Sequence, residues 1–145
     1  MENQDAVGKF PLSDLDLTSA KGQLFVIADG MGGHAGGRQA SSLAVETIGE
    51  RYFSFKGSVL ESLKYAFKEA NSIVYSFSVN NPLFSGMGST CIALVLQNDS
   101  VYVAHIGDSR LYRITTNAIE QLTKDHSKVA EMVRRGIITD EEARV

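Results

Sequence analysis

Residues 24–40, LFVIADGMGGHAGGRQA, restrict what this chain can fold into more than any other stretch. The short apolar run over 24–28 reads as a buried strand, and it ends in a carboxylate, Asp29. Of the eight residues that follow, five are glycine: Gly30, Gly32, Gly33, Gly36 and Gly37. A helical pattern then starts near Arg38. A strand that carries an acid at its C-terminal tip fixes that acid rigidly. The glycines let the backbone turn sharply and approach something closely. A helix cap or a plain turn needs fewer glycines, because each one costs backbone entropy on folding.

Two specific readings compete for this stretch. Gly30-Met31-Gly32-Gly33-His34-Ala35 matches a G-x-G-x-x-A dinucleotide loop. In context the match is poor, because Asp29 would set a negative charge beside a pyrophosphate. The second strand ending in an acid, about 20 residues on, is also missing; the chain runs into helix instead, with Glu46 and Glu50 inside it. No Gly-Lys-Ser or Gly-Lys-Thr follows to make a Walker loop. The other reading is a hard-metal site. Magnesium and manganese prefer carboxylate, carbonyl and water oxygens; Asp29 offers the first and the Gly30 backbone the second.

Composition narrows the field. At 145 residues the chain suffices for one domain with a core, and its 43% hydrophobic and 21% charged content is ordinary for a globular protein. A net charge of −3 gives no basic field for nucleic acid. No apolar run reaches membrane-spanning length, and the acidic start lacks the basic and apolar regions of a signal peptide. The single cysteine, Cys91, sits in an apolar run and reads as a small buried hydrophobe. A cytoplasmic protein is expected.

Taken in order, Asn3-Gln4-Asp5 alone reads as a frayed terminus, and residues 11–22 as a polar connection containing Asp14 and Asp16. Ala40, Leu43, Ala44, Ile48 and Tyr52 are spaced for an amphipathic helix. Gly57 breaks it. Val59, Leu60, Leu63, Ala66, Phe67, Ala70, Ile73, Val74 and Phe77 continue helical spacing for about five turns. Ser58 and Glu61 are placed as a capping box for this second helix, and Asn80-Asn81-Pro82 ends it. Strands are expected over 91–96, 101–106, 110–114 and 119–122, joined by turns at Asn98-Asp99-Ser100, Gly107-Asp108-Ser109 and Thr116-Asn117. A short helix around Val129, stopped by Gly136, and another helix N-terminus at Thr139 close the chain. Helices followed by hairpin-connected strands predict an α+β fold rather than alternating βαβ units, which weighs against the dinucleotide reading.

Five ordered blocks then carry a resemblance: Asn3-Gln4-Asp5, Asp29-Gly30-Met31-Gly32-Gly33-His34, Gly86-Met87-Gly88-Ser89-Thr90, Gly107-Asp108-Ser109-Arg110 and Leu122-Thr123-Lys124-Asp125-His126-Ser127. Together they resemble the N-terminal part of a bacterial-type PPM (PP2C-like) metal-dependent protein serine/threonine phosphatase. The resemblance implies an α-β-β-α sandwich of two antiparallel sheets flanked by helices, incomplete here. It implies two divalent ions, Mn2+ or Mg2+, with Asp29 bridging them and the Gly30 carbonyl on one. The family's acidic pair has Gln4 at its first position, so Asp5 carries that corner. Asp108 matches the aspartate of a third, weaker metal site. Residues 128–145 resemble the start of the family's flap.

The implied chemistry is hydrolysis of phosphoserine and phosphothreonine by a metal-activated water, with no Ser or Cys nucleophile. His34 is a candidate proton donor to the leaving alkoxide, although Met31-Gly32-Gly33 separate it from the Asp-Gly pair. A bond from His34 to neighbouring backbone is the plainer alternative. The family's later D-G and D-N aspartates have no counterpart here, so residues 1–145 are read as a partial domain, truncated at the C-terminus and at the N-terminus. Alone it is expected to be inactive and only marginally folded. The expected partners are a phosphoprotein substrate and a Ser/Thr kinase with its targets, without nucleic acid or membrane, and the expected state is a monomer. The competing function is a non-catalytic PPM-like binding or sensor module.

Overall fold

The computed structural model describes residues 3–11, 19–139 and 141–144, the side chains of residues 33–35 and 144 excepted. The chain divides into two compact units, residues 1–105 and 106–145.

The first unit is built on a sheet of strands β1 (Asp5–Phe10), β2 (Gln23–Met31), β3 (Gly88–Ser89), β4 (Cys91–Gln97) and β5 (Ser100–Ile106). Their order is β1-β2-β4-β5, with β3 also on β2. Helices α1 (Gly33–Ser54) and α2 (Val59–Asn80) supply the rest of its core. Leu24, Val26 and Ala28 of β2 and Cys91, Ala93 and Val95 of β4 pack with Ala44, Val45, Ile48 and Tyr52 of α1 and with Val59, Leu63, Ala66 and Ala70 of α2. Each large aliphatic side chain so buried contributes roughly 1.5–3 kcal/mol. Alternation along β2 leaves Ile27 on the other face, 49% exposed. The strand expected to be buried is so on one face, through Leu24, Val26 and Ala28.

Local signals place the helix ends. Ser58 accepts from the Glu61 N–H (3.3 Å) and Glu61 Oε2 accepts from the Ser58 N–H (2.9 Å), so the capping box over α2 is formed. Such a cap is worth about 1 kcal/mol. Lys21 reaches across to the Gly57 carbonyl (3.0 Å) and to Ser62 Oγ. The Tyr52 hydroxyl donates to the Lys21 carbonyl (2.6 Å). That ring is wholly buried, and burial pushes the phenol up to about 12.

The start of α1 corrects the sequence reading. The helix begins at Gly33, not near Arg38, so three of the five glycines lie inside it. Its first turns run so close to β2 that a Cβ on Gly30 would overlap the Gly37 carbonyl. The glycine density serves a strand-to-helix contact more than an open loop. The sharp turn itself falls on Gly32, at φ 124°, where a Cβ would also meet the Met87 main chain. The frayed-terminus reading of the first residues also gives way: β1 pairs antiparallel with β2 along its whole length.

The second unit holds a hairpin, β6 (Tyr112–Ile114) with β7 (Ile119–Gln121), then helix α3 (Lys128–Arg134). Gly136 follows α3 at φ 68°, the left-handed stop expected of a glycine after a helix. A single 3-10 turn at Glu142–Arg144 stands where a further helix was expected. Two antiparallel sheets with helices make the fold α+β, in keeping with an incomplete PP2C-like sandwich. Asp14, Asp16 and Asp140 lie outside the described residues. Among the described residues no helix is long and apolar enough to cross a membrane.

Candidate metal centre

The β1–β2 register brings two of the expected site residues together: Asp5 faces Asp29 directly. The pairing type follows from the neighbouring rung. The Gly30 N–H donates to the Gln4 carbonyl (3.2 Å). Hydrogen-bonded and non-hydrogen-bonded pairs alternate along an antiparallel ladder, so Asp5 and Asp29 form a pair of the closer kind, with Cα atoms about 4.5 Å apart. Both residues are exposed. Two like charges directly opposite each other destabilise a sheet, and a cation held between them relieves that. The donor set, two carboxylates beside the backbone of Gly30, is hard oxygen and suits magnesium or manganese. Among the described residues no group of three or more His, Cys, Asp or Glu side chains gathers in metal-binding geometry.

Residues to which the sequence reading gave no supporting role hold this corner from behind. Alternation turns Gln4 away from Asp5, and a Cβ on Gly37 would collide with the Gln4 amide. The Gln4 carbonyl accepts from Gly30 and also from the fully buried Ser41 hydroxyl on α1 (2.6 Å). On the other side of Asp29, its carbonyl accepts from the Thr90 N–H (2.9 Å), and the Ser89 hydroxyl oxygen lies 3.0 Å from it. The Gly-Ser-Thr block signalled these last two. Nothing local in sequence signalled Ser41.

Asp108 belongs to the second unit, exposed in the turn after β5. There the two remaining motifs meet. Arg110 forks onto Asp125, with Nε donating to Oδ1 (3.1 Å) and Nη2 to Oδ2 (2.7 Å). Gln121 donates to Asp125 Oδ1 (3.2 Å), and Arg134 of α3 to the Asp125 carbonyl (2.8 Å). The hydrogen bond from Arg110 holds the Asp125 carboxyl below the usual carboxylate range. Beside it the His126 N–H donates to the Gly107 carbonyl (3.0 Å), so the residue before Asp108 is anchored to the residue after Asp125. His34 sits in the first turn of α1, and its side chain lies outside the described residues. Cys91 is 3% exposed, and burial pushes its thiol up to about 12, a state unsuited to a nucleophile.

An α+β domain that sets paired carboxylates at the end of a sheet is a candidate divalent-metal domain. The chain belongs to the protein phosphatase 2C family, whose model matches residues 7–134. It is similar to a putative protein phosphatase 2C-type of Streptococcus pyogenes, at 36% identity over 146 residues, covering 97% of this chain and 56% of that protein. Among solved structures it resembles the serine/threonine phosphatase Stp1 of Staphylococcus aureus (TM-score 0.82, 35% identity), covering 98% of this chain and 55% of that one. It also resembles the catalytic domain of the serine/threonine protein phosphatase PstP in complex with two manganese ions (TM-score 0.78, 33% identity), covering 99% of this chain and 58% of that one. The chain thus spans about half the length of the relatives it matches.

Proposed function

We propose that the protein carrying this chain hydrolyses phosphoserine and phosphothreonine in proteins, with manganese or magnesium held at the Asp5–Asp29 corner. The observation that carries this reading is the direct cross-strand opposition of those two carboxylates. Family membership and the metal pair in a similar structure support it.

In this reading the Asp29 carboxylate, the Gly30 carbonyl and the Asp5 carboxylate would be this chain's oxygen donors to the metal. Two carboxylates leave a hard divalent ion short of a full oxygen shell, which water or further oxygen donors of the full protein would complete. The ions, when bound, supply the Lewis acidity that makes water a nucleophile at neutral pH and polarises a phosphoryl oxygen. Water attacks phosphorus, the bond to the Ser or Thr oxygen breaks, and that oxygen takes up a proton. His34 is the candidate donor. The substrate is a phosphoprotein, the target of a Ser/Thr kinase, and the setting is the cytoplasm.

In the full natural polypeptide, hydrolysis of a phosphothreonine peptide is expected to require manganese or magnesium and to stop on exhaustive chelation. Turnover that survives chelation contradicts the mechanism, and a metal-loaded protein with no turnover on any phosphopeptide favours a binding module instead. Asp108 is assigned to a third, weaker ion. Asp108→Ala is expected to lower turnover about tenfold while two tightly held ions remain, checked by counting metal on the purified variant; loss of the tight pair would give Asp108 a different role.

A further inference from the structure

The ladder beside Asp29 is broken in one place. On one side of the break Ile27 pairs with Ile92, and on the other Gly30 pairs with Ser89, in one continuous register. Asp29 therefore faces Thr90, the one residue between β3 and β4 that lies in neither strand. An ordinary hydrogen-bonded pair would exchange two main-chain bonds here. One is present: the Thr90 N–H donates to the Asp29 carbonyl (2.9 Å). The other is replaced by side chains. The Asp29 N–H donates to Thr90 Oγ1 (3.2 Å), and the Thr90 carbonyl accepts from the Ser89 hydroxyl (2.7 Å). That hydroxyl also lies 3.0 Å from the Asp29 carbonyl oxygen.

The substitution of hydroxyls for a main-chain rung thus falls on the residue whose carboxylate faces Asp5. A side-chain acceptor reaches out beyond its own backbone, so the Asp29 peptide is held at a different pitch from the one a regular rung would impose. We propose that Thr90 is a positioning residue for Asp29: its hydroxyl, with Ser89 occupying the Thr90 carbonyl, sets the angle at which the Asp29 carboxylate meets the metal. This rests on the assignment of Asp29 as a metal ligand. Groups one step removed from a ligand commonly govern metal affinity by 10- to 100-fold, and the Ser-Thr pair holds that place.

The test is manganese titration of the full natural polypeptide by calorimetry, with thermal melts on each variant. Thr90→Val keeps the shape and removes the acceptor; it is expected to weaken manganese about tenfold and to raise the manganese needed for half-maximal turnover, with kcat at saturating metal little changed. Thr90→Ser keeps the acceptor and is expected to restore the affinity. A folded Thr90→Val with wild-type affinity, measured beside an Asp29→Asn that has lost affinity, overturns the positioning role and leaves the site standing. If Asp29→Asn also binds manganese normally, the site assignment falls and the positioning role with it. Should Thr90→Val fail to fold, Ser89→Ala serves. It releases the Thr90 carbonyl to compete for the Asp29 N–H and is expected to weaken manganese several-fold, and unchanged affinity overturns the proposal.

Discussion

Asp29→Asn is expected to reduce kcat on a phosphothreonine peptide by on the order of a hundredfold or more, about 2.7 kcal/mol of transition-state stabilisation. Asparagine matches aspartate in shape and keeps one carbonyl oxygen, but it removes the charge with which Asp29 would hold the proposed cations. The main chain at this position is held independently of the carboxylate, by Thr90, Ser89 and, through Gly30, Gln4. Those bonds use only main-chain atoms of Asp29, so the substitution leaves them in place. It should even ease the metal-free fold, because Asp5 no longer faces a like charge directly across the ladder; such pairs cost roughly 0.2–1 kcal/mol. Lower activity with equal or slightly higher melting temperature is the expected signature. Near-normal turnover at saturating manganese, or lost activity explained by lost folding, contradicts the assignment.

The largest effect on stability is expected from Gly30→Ala. The added methyl would overlap the Gly37 carbonyl and approach the Gly37 Cα, and these are backbone atoms of a helix, not the far end of a mobile side chain. Relief requires α1 to move off β2, and α1 carries Ala44, Val45, Ile48 and Tyr52 of the core. Overpacking of this kind costs about 3 kcal/mol, a drop in Tm of roughly 10 °C for a domain of this size. Gly36→Ala is the internal comparison. Its nearest neighbour would be the Met87 Cβ at 3.3 Å, and alanine gains up to about 1 kcal/mol over glycine inside a helix, so its melt should stay near wild type. Equal melts for the two variants would show that the Gly30–Gly37 contact does not hold the corner together.

These two residues also mark where the sequence was legible. Signals confined to a few neighbours carried through. The Ser58–Glu61 box, the apolar period of α2 and the strands on either side of Asn98-Asp99 are each written within a turn or two of chain. Asp29 could be found because an apolar run ending in an acid before glycines is itself a local pattern. The glycine run was misplaced for a physical reason. Glycine serves a turn and a close helix–strand approach equally well, and only the position of Gly37 over Gly30 distinguishes them. The Gly-Ser-Thr block was legible but what its hydroxyls hold was not, and Ser41 gave no signal at all, because the partners are remote in sequence: Ser41 from Gln4 by 37 residues and Thr90 from Asp29 by 61. For the same reason the opposition of Asp5 and Asp29 needed the β1–β2 register, which a strand as weakly patterned as Asp5–Phe10 does not announce.

A manganese titration of the wild-type natural polypeptide beside Asp29→Asn tests most directly whether the Asp5–Asp29 corner binds metal. Two tightly bound ions in the wild type, and loss of that pair in the folded variant, are the predicted result. Superimposable isotherms from the two proteins would contradict it.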